Sequence, residues 1–265
     1  MNTATCTDNA TSTLASAAPA LVVKDLGKSY GKTQALGEVG FELEAGQWMV
    51  LLGENGAGKS TLIQLLCGLF SPDSGEIRID GIDLTQNPCP ALARLGVVFQ
   101  QPTLDMDLSA QDNLRYHAGL HGMPSALASQ RITEGLTQAG LSDKLRTTVR
   151  ALSGGQRRRI ELVRALMHRP SVVLMDEATV GLDPASRQQL LEHVRRLVRE
   201  QQICVLWTTH WAQEVAHADR LMILHKGRLA FNATTEDLRN QTGLTDLEQA
   251  FVQFTRAQPA PAQTA

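Results

Sequence analysis

An α/β fold with a mainly parallel sheet is the architecture this sequence predicts, and three observations predict it. The short apolar runs Trp48–Leu52, Ser171–Met175 and Ile203–Trp207 have the continuous hydrophobicity of strands buried on both faces. Stretches with apolar residues at helical spacing lie between them, and strand–helix alternation of this kind builds parallel sheets. Polar residues able to carry chemistry follow each run directly: a glycine-rich loop after the first, Asp176-Glu177 after the second, Thr208-Thr209-His210 after the third. Ligands in such sheets sit beyond the carboxyl ends of the strands, so these residues are read as one site.

Composition limits the alternatives. A length of 265 residues fits one large domain or two small ones, and 43% hydrophobic residues is ample for a core. A net charge of −2 gives no reason to expect a polyanion-binding surface, so no direct nucleic-acid partner is expected. Cys6, Cys67, Cys89 and Cys204 lie far apart with no C-x-x-C pair, which suits free thiols in a reducing, cytoplasmic compartment. No apolar run approaches the ~20 residues needed to span a bilayer. Residues 1–20, rich in Ala, Thr and Ser, are expected to be a disordered leader without the features of a secretory signal, and residues 256–265 a disordered tail. The domain between them is expected over residues 21–255.

Taken in order, Leu21-Val22-Val23 opens a strand and Tyr30-Gly31 turns the chain. Phe41-Glu42-Leu43-Glu44 alternates as a half-exposed strand does. The helix after the glycine loop is marked by Leu62, Leu65 and Leu66 and stops near Gly68. Gly75–Ile79 alternates again, and Asp80-Gly81 is a hairpin signal, so the N-terminal part is expected to contain an antiparallel β subdomain. Val97-Val98-Phe99 is a short buried strand ending at Gln100-Gln101-Pro102. No strand pattern occurs from Thr103 to Ala151, so an inserted helical subdomain is expected at about 103–150. Its helices are predicted to begin at the N-cap Ser109, to cover Ala126–Gln138, and to cover Ser142–Val149. Leu152-Ser153-Gly154-Gly155-Gln156 opens a further helix, with Ile160, Val163, Leu166 and Met167 as its apolar side and Arg157, Arg158, Glu161 and Arg164 as its wet side. Asp183 and Pro184 have the order of N-cap and first helical residue. Leu221–His225, Lys226-Gly227 and Arg228–Phe231 form a closing hairpin.

The chemistry concentrates in Gly53-Glu54-Asn55-Gly56-Ala57-Gly58-Lys59-Ser60-Thr61, a match to G-x-x-x-x-G-K-[ST] between a strand and a helix. Glycines let the backbone curl until several N–H groups face one cavity, and the helix N-terminus adds partial positive charge. Such a cavity suits phosphate, with Lys59 reaching the terminal phosphates and the Ser60 hydroxyl placed for Mg²⁺. A P-loop NTPase core is therefore expected.

With these motifs in place, Leu21 to about Thr255 resembles the ATP-binding subunit of an ABC transporter. Leu152–Gln156 is the most specific element, and it stands ahead of Asp176-Glu177 as in that family. The resemblance implies MgATP as ligand, with Asp176, Ser60 and Gln100 on the metal side and Glu177 as the base that polarises water. His210 resembles the switch histidine that contacts the γ-phosphate, and Gln100, rather than Gln101, resembles the loop glutamine that links the core to the helical insert. Tyr30 resembles the aromatic that stacks on adenine. Asp183 resembles the aspartate that reaches across a dimer. Glu54 and Ala178 stand where many members have proline, and neither position donates a side chain to the phosphates. Ser153, Gly154, Gly155 and Gln156 resemble the signature that closes over the γ-phosphate held by a second copy. The resemblance therefore implies a head-to-tail dimer, or a pairing with a second ATPase subunit, seated on a separate integral membrane permease at the inner face of the membrane. Asp246–Phe251 and Thr179–Pro184 resemble exporter-type cassettes, linked to multidrug resistance or quinone-dependent alcohol oxidation. A soluble ABC-type ATPase acting on nucleic acid or ribosomes is the rival reading. His117, His121, His168, His193, His217 and His225 are read as structural or surface residues.

Overall fold

The computed structural model describes residues 18–257, apart from the side chain of His217. Residues 1–17 of the expected leader, with Cys6, and 258–265 of the expected tail therefore lie outside the described residues.

Strand β1 (Leu21–Tyr30) pairs antiparallel with β2 (Thr33–Leu43), whose buried and exposed residues alternate over its second half. Strand β3 (Trp48–Leu52) is buried throughout and runs into the glycine loop and helix α1 (Lys59–Leu66). Strands β4 (Ser74–Ile79) and β5 (Ile82–Asp83) are joined at Asp80-Gly81 as the dipeptide predicts, with Ile79 facing Ile82. Together they complete a four-stranded antiparallel sheet in the order β2-β1-β4-β5. Ala20, assigned from sequence to the leader, is buried and donates its N–H to the Leu43 carbonyl at 2.9 Å, so the sheet already includes it.

Helix α2 (Pro88–Leu92) leads to β6 (Leu95–Val98); Phe99 falls just beyond the strand. The insert follows with α3 (Ala110–Leu120), capped by Ser109, and α4 (Ser125–Gln138). The helix expected at Ser142–Val149 does not form. Two short 3₁₀ turns, Ser142–Lys144 and Val149–Ala151, stand in its place. The backbone of this segment is used elsewhere: Val149 and Arg150 donate to the Leu108 and Met106 carbonyls, and the Thr147 and Leu145 carbonyls accept from Ala110 and Gln111. Those cross-links satisfy groups that a helix would have paired internally.

Helix α5 (Gly154–Leu166), β7 (Val172–Asp176), α6 (Pro184–Gln201), β8 (Cys204–Thr209), β9 (Arg220–His225) and β10 (Arg228–Ala233) then complete the core. The second sheet has six strands in the order β10-β9-β3-β8-β7-β6, parallel except for the β10 edge. Helices α7 (Thr235–Thr242) and α8 (Leu247–Ala257) close the described chain, and α8 takes in Arg256, expected from sequence to be tail. No helix among the described residues is long and apolar enough to cross a membrane.

Three apolar clusters hold this arrangement. One lies between the two sheets around Leu21, Leu51, Leu62 and Leu206; a second lies on the other face of the parallel sheet around Trp48, Trp207 and Leu190. The third ties α3 and α4 to Ile160 and Val163 of α5 and to Met167 at its end, so the insert is packed on the same helix that follows Leu152–Gln156.

Candidate nucleotide site

Strands β3, β7 and β8 are adjacent and parallel, so the residues after their carboxyl ends converge. After β3 the chain curls through Gly53–Gly58. Gly58 has φ 108, and a Cβ there would lie 2.7 Å from the Ala35 carbonyl, so both conformation and space demand glycine. The Ala57 carbonyl accepts from the Gly227 N–H at 2.9 Å, which fixes the loop against the β9–β10 turn. No side chain caps α1, whereas Ser109, Ser153, Asp183 and Thr234 cap α3, α5, α6 and α7. The first-turn N–H groups of α1 are thus left to an external acceptor, which is what a phosphate provides. Glu54, Asn55, Gly56 and Ser60 are exposed around that terminus, and Thr61 is half-buried.

Lys59 is buried, and its Nζ donates to the Gly53 carbonyl at 2.7 Å and the Glu54 carbonyl at 3.2 Å. The same ammonium lies 3.4 Å from Glu177 Oε1. His210 Nδ1 lies 3.5 Å from that oxygen, and Gln100 Nε2 donates to Glu177 Oε2 at 3.1 Å. One carboxylate therefore gathers a residue from after each of β3, β6 and β8. Glu177 holds φ 43, a strained value for a non-glycine residue, while its N–H is fixed by the Thr208 carbonyl and hydroxyl. Asp176 beside it is buried and accepts from the Thr208 hydroxyl at 2.7 Å. Burial first, and Glu177 as a neighbour, push its carboxyl above the ordinary carboxylate range despite that hydrogen bond. A nearby cation would reverse this, and the donor set of Asp176, the Ser60 hydroxyl and the Gln100 amide is the all-oxygen kind that a hard cation takes.

The other predicted residues stand apart from this cluster. Ser153 and Gln156 close a reciprocal capping box at the start of α5, Gln156 Oε1 accepting from the Ser153 N–H at 2.9 Å and Ser153 Oγ from the Gln156 N–H at 3.2 Å. A Cβ on Gly155 would lie 2.4 Å from Ser186 Oγ, so the signature turn abuts the first turn of α6. Asp183 caps that helix, accepting from the Ser186 N–H at 2.9 Å and its hydroxyl at 2.6 Å. Tyr30 is 45% exposed and packs edge-on to Phe70, with ring centres 6.2 Å apart.

Two supporting groups lie outside the residues that the sequence motifs mark. Arg158 and Glu161, assigned from sequence to a wet helix face, are buried and paired at 2.8 Å. The reason is the loop after β6: Arg158 donates to the Phe99 and Gln100 carbonyls, and Glu161 accepts the Thr103 N–H. Glu214, also buried, holds Thr179 and the Trp207 indole, fixing the turn between β7 and α6. The i,i+3 spacing of Arg158 and Glu161 was visible beforehand, but on a helix it signals a surface pair equally well.

Fold and site together define a P-loop ATPase. The family model described as ABC transporter matches residues 36–180. The chain is 36% identical over 224 residues to the linearmycin resistance ATP-binding protein LnrL of Bacillus subtilis (strain 168), covering 84% of this chain and 72% of that one. It is 36% identical over 225 residues to the daunorubicin resistance ATP-binding protein DrrA3 of Streptomyces coeruleorubidus, covering 84% and 71%. A solved structure described as the ATP binding subunit of an ABC transporter superposes with a TM-score of 0.79 at 31% identity, covering 89% of this chain and 99% of that one. The chain belongs to the ABC transporter family, as an ATP-binding, ATP-hydrolysing subunit.

Proposed function

We propose that this subunit hydrolyses MgATP between two ATPase subunits arranged head to tail and thereby drives outward transport through a separate membrane permease. The observation that carries the reading is the convergence of Lys59, Gln100 and His210 on the Glu177 carboxylate. A triphosphate seated on the α1 N-terminus offers Lys59 a stronger anion than one carboxylate and leaves Glu177 to accept a proton from water. His210 orients that water and the γ-phosphate. Ser60, Asp176 and Gln100 would hold Mg²⁺, which supplies charge neutralisation on the phosphates. Tyr30 lies toward the adenine.

The signature residues Ser153–Gln156 occupy a helix start of their own, and their capping bonds reach none of Lys59, Gln100, Glu177 or His210. That separation supports a site completed by a second subunit's signature, with Asp183 at the seam. ATP bound by both faces then favours the closed pair, and hydrolysis releases it. Resistance proteins among the relatives support export. The insert, with Leu108, Tyr116 and Leu120 exposed on and before α3, is the surface offered to the permease, so the subunit sits peripherally on the inner face of the membrane. The net charge of −2 and transporter relatives leave the nucleic-acid alternative without support.

The test pairs turnover with co-purification. Glu177→Gln is expected to keep ATP binding and lose roughly 10²–10⁴-fold in hydrolysis. The wild-type chain is expected to co-purify with a polytopic membrane protein. Normal turnover in the variant would remove Glu177 from the mechanism, and recovery with RNA or ribosomes instead would favour the rival.

A further inference from the structure

We propose that His117, His121 and His168 form a binding site for a borderline divalent transition-metal ion of the Zn²⁺, Ni²⁺ or Co²⁺ class, at the joint between the helical insert and the core. The three residues come from two elements. His117 and His121 stand four residues apart at the end of α3, so they share one helix face. His168 follows the end of α5 and is brought beneath them by the packing of α3 on that helix. One ligand nitrogen from each lies within 4.8 Å of the other two. The His121 and His168 rings are stacked at 4.1 Å between centres, and His117 and His121 are 4.6 Å apart, so the exposed His121 ring has to turn out of the stack for its lone pair to meet an ion held by the other two.

The hydrogen bonding points to a ligand. His168 Nε2 lies 3.0 Å from the Leu95 carbonyl, so that nitrogen carries the proton and Nδ1 presents a lone pair. A second bond of this kind, ring N–H to a backbone carbonyl, is what orients metal-ligating histidines. His168 Nδ1 and His117 Nε2 are both buried with no hydrogen-bond partner. Buried polar atoms without partners are rare and costly, and two in one cluster of three imidazoles are accounted for together by one shared cation. His121 is the exposed member and leaves the site open to solvent for a fourth ligand.

Charge acts in both directions. Burial foremost, then His121 and Arg164, hold the His117 ring neutral, with a pKa down to about 3; burial and His121 act likewise on His168, at about 4. Arg164 and Arg131 oppose a cation, and their hydrogen bonds to Thr103 and the Met167 carbonyl leave that charge in place, which lowers the affinity the site can reach. An all-imidazole set selects against Mg²⁺ and Ca²⁺, so this site is chemically distinct from the nucleotide site.

Co²⁺ is the probe. The full chain, freed of any histidine tag and of nucleotide, is titrated with Co²⁺ and followed by its visible absorption, then by displacement with Zn²⁺. Expected are one saturable equivalent and a loss of at least ~10-fold in affinity in His121→Ala, while His225→Ala binds as the parent does. His121 is exposed, so its variant tests the site without threatening the fold; circular dichroism checks this. Zn²⁺ is also expected to raise the thermal midpoint of the parent and not of His121→Ala. No saturable equivalent in the parent, or equal affinity in His121→Ala, overturns the site.

Discussion

Arg158 and Glu161, one turn apart on α5, form a buried ion pair at 2.8 Å whose remaining hydrogen bonds go to residues 99–103: the Phe99 and Gln100 carbonyls, and the N–H and hydroxyl of Thr103. The helix that begins with the signature therefore grips the loop that carries Gln100. A chain of contacts runs from Ser153 at the start of the helix, through Arg158 and the Gln100 backbone, to the Gln100 side chain on the Glu177 carboxylate.

Removing one partner of this pair strands the other charge in the interior. Arg158→Ala is expected to cost about 3–5 kcal/mol in urea unfolding. The double variant Arg158→Met with Glu161→Leu is expected to recover part of that stability but not the turnover, because the loop carbonyls and the Thr103 N–H lose their partners. Full turnover in the double variant would mean that the grip on Gln100 has no part in hydrolysis.

Lys59 makes its bonds to Gly53 and Glu54 within the loop it serves, so it is held in place ahead of any phosphate. Lys59→Ala is expected to weaken ATP binding by about 1.5–3 kcal/mol, the range for hydrogen bonds to charged groups. Titration with a fluorescent ATP analogue reads this. An unchanged affinity would contradict the placement of the terminal phosphates.

Gly155 has no room for a side chain because Ser186 occupies the space. Gly155→Ala is expected to displace the start of α5 from α6 and to depress turnover. Ser186→Gly, which removes both clashing atoms while retaining the N–H that Asp183 caps, is expected to restore much of it. Additive losses in the pair would remove the contact as the cause.

His193 gives the fold a defined acid sensitivity. It is buried on α6, and burial, then Arg196 and Arg159, hold its pKa down to about 4. The unfolded chain therefore takes up this proton first as pH falls. The stability tied to the neutral ring is complete above about 6.5 and drains away as pH drops toward about 4, a loss on the order of 3 kcal/mol. His193→Gln is expected to reduce the slope of the denaturation midpoint over that window, leaving the shares of His117 and His168, whose pKa values are likewise held down by burial. A variant with the same pH profile as the parent would exclude His193 as the source.

Much of the fold was legible because its signals are local. Asp80-Gly81 sets a hairpin, Asp183-Pro184 starts a helix, and Gly53–Thr61 defines a phosphate loop through backbone conformation alone. What stayed hidden depends on distant partners. Arg158 and Glu161 have the look of a wet helix face until the loop after β6 is laid over them. The Ser142–Val149 segment loses its helix to backbone bonds with residues 106–111, which no local pattern announces. His117 and His121 share a visible helical spacing, yet the third ring comes from 47 residues further on, brought in only by the packing of α3 against α5.

In the proposed mechanism a complete nucleotide site needs two subunits. Sedimentation of the Glu177→Gln variant with saturating ATP and Mg²⁺, alone and with its membrane partner, tests it most directly. The account predicts a shift from one copy to two that depends on ATP and is lost on further substitution of Ser153 by a bulky residue. A chain that binds ATP and yet stays single under both conditions would contradict it.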